Sequence, residues 1–208
     1  MNTMVLAHPL VLHKLSMLRS KSTSTALFRA LIEEIGLLLA MEAMSNLRVE
    51  GTRIDTPLEV CEGWRLSGED PVLVPVLRAG LGLVQPFLRL VPTAKVGHIG
   101  LARDHATLLP RAYYRNFPSA MASRQAYILD PMLATGGSAV EAVRQVMEAG
   151  SEDVTFACVL AAPEGIRHLE EAYPGVRIVA AGLDRELNDK GYILPGLGDA
   201  GDRIFGTL

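Results

Sequence analysis

Aromatic residues are scarce in this chain, at 5% of its 208 positions. Its interior must therefore be filled by the Val, Leu, Ile, Ala and Met that raise the hydrophobic fraction to 49%. Cysteine is almost absent: Cys61 and Cys158 stand alone, without the paired spacing of a metal site or a disulfide framework. That leaves no cysteine-based metal centre and points to a reduced, cytoplasmic setting. Cys158 lies inside an apolar run and reads as a core thiol. Positive charge is not in excess, since 20 Lys and Arg stand against 23 Asp and Glu for a net charge of −3. With no basic run, neither a nucleic-acid face nor an anionic-membrane face is expected. The apolar runs are broken well short of a membrane span, and the first residues lack the charged-then-apolar layout of a secretory leader. Repeats, low-complexity tracts and Gly/Ser linkers are missing too. Residues 1–208 read as one compact unit with ample chain for a full core.

The most informative stretch that is present runs Asp130-Pro131-Met132-Leu133-Ala134-Thr135-Gly136-Gly137-Ser138. The apolar run Ala126 to Leu129 precedes it. After it, Ala139 to Ala149 spaces Val140, Val143 and Met147 along one helical face. The pattern is a strand, a tight glycine-bearing loop and a helix N-terminus. Backbone N–H groups at such a start have no partner within the helix, and the helix dipole puts partial positive charge there. Adjacent glycines let the backbone close round an anion, and Thr135 and Ser138 add hydroxyl donors. A phosphate suits that cradle, with Asp130 placed to accept from sugar hydroxyls. Thr-Gly-Gly-Ser alone would be an ordinary capped turn. The loop is neither a Walker A nor a Gly-x-Gly-x-x-Gly.

Along the rest of the chain, Pro9 to Met44 reads as helical. Ser22 to Thr25 offer N-caps ahead of a stripe of Phe28, Leu31, Ile32, Ile35, Leu38 and Leu39. Leu37, Met41 and Met44 spill beyond the stripe, as burial against a second subunit would require. Arg48 to Arg65 fits short antiparallel strands, with Trp64 expected to pack. Pro71 to Leu77 is a run suited to a strand buried on both faces; Pro75, which cannot donate, is expected where pairing ends. Arg78-Ala79-Gly80-Leu81-Gly82 then leads into a helix from Leu83 to Leu90. Lys95 to Leu101, Val154 to Ala161 and Val176 to Ala181 read as strands, and Pro163 opens a helix to Ala172. Strands alternating with helices predict a mostly parallel sheet with right-handed crossovers. Residues 103–118 and 187–203 lack periodicity. On composition alone the latter is a loop or a frayed tail, yet Tyr192, Ile193, Leu194 and Leu197 are too apolar for a solvated one.

Three stretches carry a family resemblance, in order and over nearly the whole chain: 74–82, 130–138 and 191–207. Asp-Pro-Met-Leu-Ala-Thr-Gly-Gly-Ser, with proline where most of the superfamily has a second acid, resembles the phosphoribosyl-pyrophosphate (PRPP) loop of uracil phosphoribosyltransferases. Pro-Val-Leu-Arg-Ala-Gly-Leu-Gly is similar to their pyrophosphate loop, which often holds a non-proline cis peptide. Gly191 to Thr207 resembles their C-terminal hood. The implied fold is the type I phosphoribosyltransferase α/β fold: a mostly parallel central sheet flanked by helices, with an N-terminal helical arm (about 9–46), a β-hairpin flap (about 102–118) and a hood (about 183–208).

The implied reaction joins uracil to PRPP, giving UMP and diphosphate in pyrimidine salvage. The resemblance implies PRPP contacts from Arg78, Arg103, Asp130, Pro131, Met132, Leu133, Ala134, Thr135, Gly136, Gly137, Ser138 and Asp199. It implies uracil contacts from Ile193, Gly198, Asp199 and Ala200. Mg2+ is the expected cofactor, held mainly through PRPP and water, with Asp199 as an outer contact. No residue stands out as a general base; His105, alone in the flap, reads as a bystander. GTP is a possible activator, and a homodimer or higher homo-oligomer is expected, with no nucleic-acid or membrane partner. Two rival readings are a nucleotide-sensing RNA regulator on the same fold and a transferase for a purine base.

Overall fold

The computed structural model describes residues 2–103 and 110–207, with side chains for all of these except Arg103 and Pro110. In chain order the elements are β1 (Thr3–Val5), α1 (Pro9–Arg19), α2 (Thr25–Ala43), β2 (Val49–Asp55), β3 (Val60–Leu66), β4 (Val72–Leu77) and α3 (Leu81–Leu90). There follow β5 (Lys95–Val96), β6 (His98–Arg103), β7 (Pro110–Asn116), β8 (Ala126–Leu129), β9 (Met132–Leu133), α4 (Gly137–Glu148) and β10 (Val154–Ala161). The chain closes with α5 (Pro163–Ala172), β11 (Arg177–Leu183), β12 (Glu186–Leu187), β13 (Ile193–Leu194) and α6 (Ala200–Phe205).

A nine-stranded sheet in the order β1-β11-β10-β8-β4-β6-β7, with β5 on β4 and β9 on β10, organises the molecule. Its pairings are parallel except for the β6–β7 hairpin. All eight side chains of β10 are buried, as befits a strand covered on both faces. Two apolar clusters flank the sheet. One is built by α1, α2, α3 and the hood residues Ile193, Leu197, Ala200 and Ile204; the other is built by α4 and α5.

The break between α1 and α2 falls where hydroxyl side chains compete for the backbone. Thr23 Oγ1 donates to Met17 O, and Ser24 Oγ caps α2 by accepting from Leu27 N–H. The expected stripe on α2 is buried apart from Leu38 at its margin, and Met44 is buried within the same chain rather than left for a partner. On α4 the buried face is Ala139, Ala142, Val143 and Val146, with Val140 and Met147 only partly covered. Pro75 is the last β4 residue in register with β8, and β6 pairing begins one residue later at Val76. The missing proline N–H thus falls where the ladder changes partner.

One expectation needs correction, and one element is new. Trp64 does not pack: it is 76% exposed, because β2 and β3 form a separate two-stranded sheet away from the core. The strand β1, parallel to β11 at the sheet edge, was not foreseen, since three residues carry no readable period.

Candidate active site

Every parallel strand points its carboxyl end at one rim, where ligands of open α/β sheets collect. At this rim lies a cavity of about 290 Å3 lined by Arg78, Ala79, Met132, Ala134, Gly191, Tyr192, Ile193, Gly198, Asp199, Ala200 and Gly201. Three chain segments far apart in sequence meet there: the turn after β4, the loop after β8 and the hood.

The loop after β8 is more tightly tied to the sheet than a free turn. Asp130 N–H donates to Ala157 O at 3.2 Å, Pro131 O accepts from both Val159 and Leu160, and β9 then pairs with Leu160 and Ala161. The strand resumes at Met132, so only Ala134 to Gly136 are free to turn. Pro131 and Leu133 are buried and frame the loop; Met132 and Ala134 reach the cavity. Gly136 takes φ +83° as the residue before α4, and no side chain caps that helix. The N–H groups of its first turn, with the exposed Thr135 and Ser138, are left for an anion. Asp130 is half-buried, and loss of hydration pushes its carboxyl up to about 7, against the lowering effect of Met132 N–H, which donates to Oδ1 at 3.2 Å.

Support for the loop comes from α5. Gly165 packs so closely that a Cβ there would lie 2.4 Å from Ala134 O and 2.7 Å from Leu133 O. One turn on, His168 Nδ1–H donates to Thr135 O at 2.8 Å. Sequence reasoning took Pro163 as a helix start and had no signal for His168, an isolated exposed histidine.

Arg78 follows β4 through a cis Leu77–Arg78 peptide. Its guanidinium lies 5.8 Å from the centre of the Phe205 ring and 3.5 Å from Asp202 Oδ1, so it bridges the β4 turn to the hood helix. Asp199 caps α6, its Oδ1 accepting from Asp202 N–H at 2.9 Å. The hood is ordered by apolar anchors: Ile193, Leu197, Ala200 and Ile204 are all buried. Of the expected residues, Arg78, Met132, Ala134, Ile193, Gly198, Asp199 and Ala200 line the cavity, joined by Ala79, Gly191, Tyr192 and Gly201, which were not singled out. Strands β6 and β7 pair antiparallel from His98↔Asn116 to Arg103↔Pro110. The Arg103 side chain and His105 lie outside the described residues.

A hypoxanthine-guanine phosphoribosyltransferase from Bacillus anthracis shares the fold with a TM-score of 0.51 at 10% identity, covering 76% of this chain and 80% of that one. The AQ2163 protein from Aquifex aeolicus superposes far better, with a TM-score of 0.92 and 39% identity over 98% of this chain and 97% of that one. Residues 5–207 match the family described as uracil phosphoribosyltransferase. The uracil phosphoribosyltransferases of Enterococcus faecalis and Streptococcus sanguinis are 48% and 50% identical over 203 residues, 98% of this chain and 97% of each relative. The chain belongs to the uracil phosphoribosyltransferase family.

Proposed function

We infer that this enzyme transfers the 5-phosphoribosyl group of PRPP to uracil, giving UMP and diphosphate in UMP salvage. The observation that carries the reading is the single cavity joining Arg78, the loop after β8 and the hood. The 5′-phosphate sits on the N–H groups and hydroxyls of Thr135 to Ser138, with the main chain of Pro131 to Ala134 shaping the loop. Asp130 accepts from the ribose hydroxyls. Arg78 and Arg103 neutralise the departing diphosphate through charge-assisted hydrogen bonds. The hairpin from β6 to β7 closes to keep water from the sugar as positive charge develops at C1. No side chain serves as an essential general base; positioning and electrostatics carry the rate.

Among the described residues, no cluster of three or more His, Cys, Asp or Glu offers a metal cage. The donor set fits a Mg2+ carried in by PRPP and water. Asp199, exposed at the cavity with one oxygen committed to its helix cap, is suited to an outer contact. Bound Mg2+ supplies charge stabilisation for the diphosphate. A homo-oligomer belongs to the same reading: Ile54, Leu58, Val60 and Trp64 of the β2–β3 hairpin are exposed, and an isolated hairpin is marginal without cover from a second copy. Among the described residues, no helix is long and apolar enough to cross a membrane.

Main-chain groups around Ile193 and Gly198 to Ala200 read the base, because the hood offers few polar side chains there. Uracil presents acceptor, donor, acceptor along its pairing edge, and cytosine reverses two of these. Unpaired buried groups cost about 1–3 kcal/mol each, and such sites reject the wrong analogue by roughly 10⁴-fold or more. A panel of bases with PRPP and Mg2+, with and without GTP, tests the reading. Uracil and 5-fluorouracil should react, with cytosine and purines far behind; comparable kcat/KM for cytosine overturns it.

A further inference from the structure

Residues 195–199 of the hood form neither helix nor strand, yet two of them, Gly198 and Asp199, line the cavity where the base is read. An ion pair between a buried aspartate and a half-buried arginine holds this segment from outside. Asp184, directly after β11, is 8% exposed, and its N–H donates to Ala161 O at the end of β10. Arg19, the last residue of α1, meets its carboxylate as a fork, Nη1 to Oδ2 at 2.7 Å and Nη2 to Oδ1 at 2.6 Å.

The remaining capacity of the pair is spent on one hood residue. Gly196 N–H donates to Asp184 Oδ2 at 2.8 Å, and Gly196 O accepts from Arg19 Nη1 at 2.9 Å. Gly196 itself, at φ +64°, is folded so tightly onto the main chain that a Cβ would lie 2.1 Å from Ile193 O. Arg203 adds a second tie, donating to Leu197 O at 2.7 Å and Ser20 O at 2.6 Å with its guanidinium 4.4 Å from the centre of the Phe28 ring. Arg19, Asp184, Gly196 and Arg203 are not in the wall of the base cavity. Gly198 and Asp199 line both that cavity and the cleft beside Arg19 and Arg203. The wall is one chain thick.

We propose that the Arg19–Asp184 pair is the positioning device for the base-reading main chain. It holds Gly196 by both backbone groups and so sets where Ile193 and Gly198 stand against uracil. An ion pair with a buried carboxylate is a poor device for stability alone, since desolvating that carboxylate offsets much of the attraction. A forked donor joined to a two-oxygen acceptor, in contrast, can occupy the N–H and the C=O of a single residue together. Lysine cannot reproduce the fork. The inference rests on the hood being the base-reading wall.

The test uses the full chain carrying Arg19→Lys, and the pair Arg19→Met with Asp184→Leu, which removes both charges at once and leaves none buried alone. In the double variant KM for uracil should rise roughly 10-fold or more, as for one lost charge-assisted hydrogen bond, and the preference over cytosine should fall with it. KM for PRPP should stay within about 2-fold, and Arg19→Lys should fall between wild type and the double variant. Amide exchange at Gly196 should quicken in the double variant while exchange in Asp130 to Ser138 does not change. That arm reads the clamp even if the wild-type enzyme proves to prefer another base. Wild-type uracil KM and selectivity in the double variant, or equal rises in KM for uracil and PRPP, overturn the proposal.

Discussion

The loop after β8 and the hood line the same cavity, but they are held by different kinds of contact. The loop is local in origin: one strand, three free residues and one helix start, with its carbonyls pinned to the neighbouring β10 and α5. Its anion-binding groups are unclaimed N–H groups that any chain with this turn would present. The hood has only short local elements, β12–β13 and α6, and residues 195–199 between them form neither helix nor strand. Its place depends on Arg19 and Ser20, more than 160 residues earlier in the chain, and on Asp184 beside it. A site that binds phosphate needs only converging donors, whereas a site that tells uracil from cytosine must fix donors and acceptors in a set order. The second task demands anchors from several elements.

The largest expected effect breaks the loop alone. Gly137→Val puts a branched side chain at the first residue of α4, where the proposed function seats the 5′-phosphate, and should abolish PRPP binding by calorimetry while leaving the circular dichroism spectrum unchanged. Undiminished PRPP affinity would remove the phosphate from this loop. Next, Arg103→Ala takes away the proposed charge-assisted contact to PRPP, a loss of about 1.5–3 kcal/mol. KM for PRPP should rise and turnover should fall, whereas the uracil-to-cytosine ratio should hold. Steady-state kinetics over both substrates separates these outcomes, and a change in base preference would show that flap and hood are not independent.

A further prediction concerns proton linkage at Asp130. Burial raises its carboxyl in the folded protein to about 7, so between about pH 4 and pH 7 the native state keeps a proton that an unfolded aspartate has lost. Its contribution to stability is complete below about pH 4 and is lost as pH rises through about 7. Denaturant midpoints should therefore decline with pH more steeply in the wild type than in Asp130→Asn across that window, with parallel behaviour above it. PRPP affinity should move the opposite way, strengthening through pH 7 as the carboxylate ionises and can accept from the ribose. Identical midpoint profiles for the two proteins would mean that Asp130 is already ionised in the folded enzyme.

The elements with a clear period were legible without coordinates. The run Val154 to Ala161 is β10 to the residue, Pro163 to Ala172 is α5, and the cap region before Phe28 does separate two helices. Short or two-sided elements were not. β1 has too few residues to show alternation, β9 hides inside what reads as loop, and Trp64 sits on a hairpin whose exposure no local pattern announces. At the site, the residues belonging to long motifs were named in advance, whereas Gly165 and His168 act only by the distance of α5 from the loop carbonyls.

The sequence by itself determined two local features: a glycine-bearing helix start suited to an anion, and an apolar, glycine-rich tail unsuited to water. These depend on residue types a few positions apart, where backbone geometry and side-chain propensity act directly. Tertiary structure alone decided how the tail becomes a wall. The bonds from Arg19 and Asp184 to Gly196 span 177 and 12 residues, and that from Arg203 to Ser20 spans 183. Contacts at such separations form only after the sheet and its helices have brought the chain ends together, so no local period can encode them.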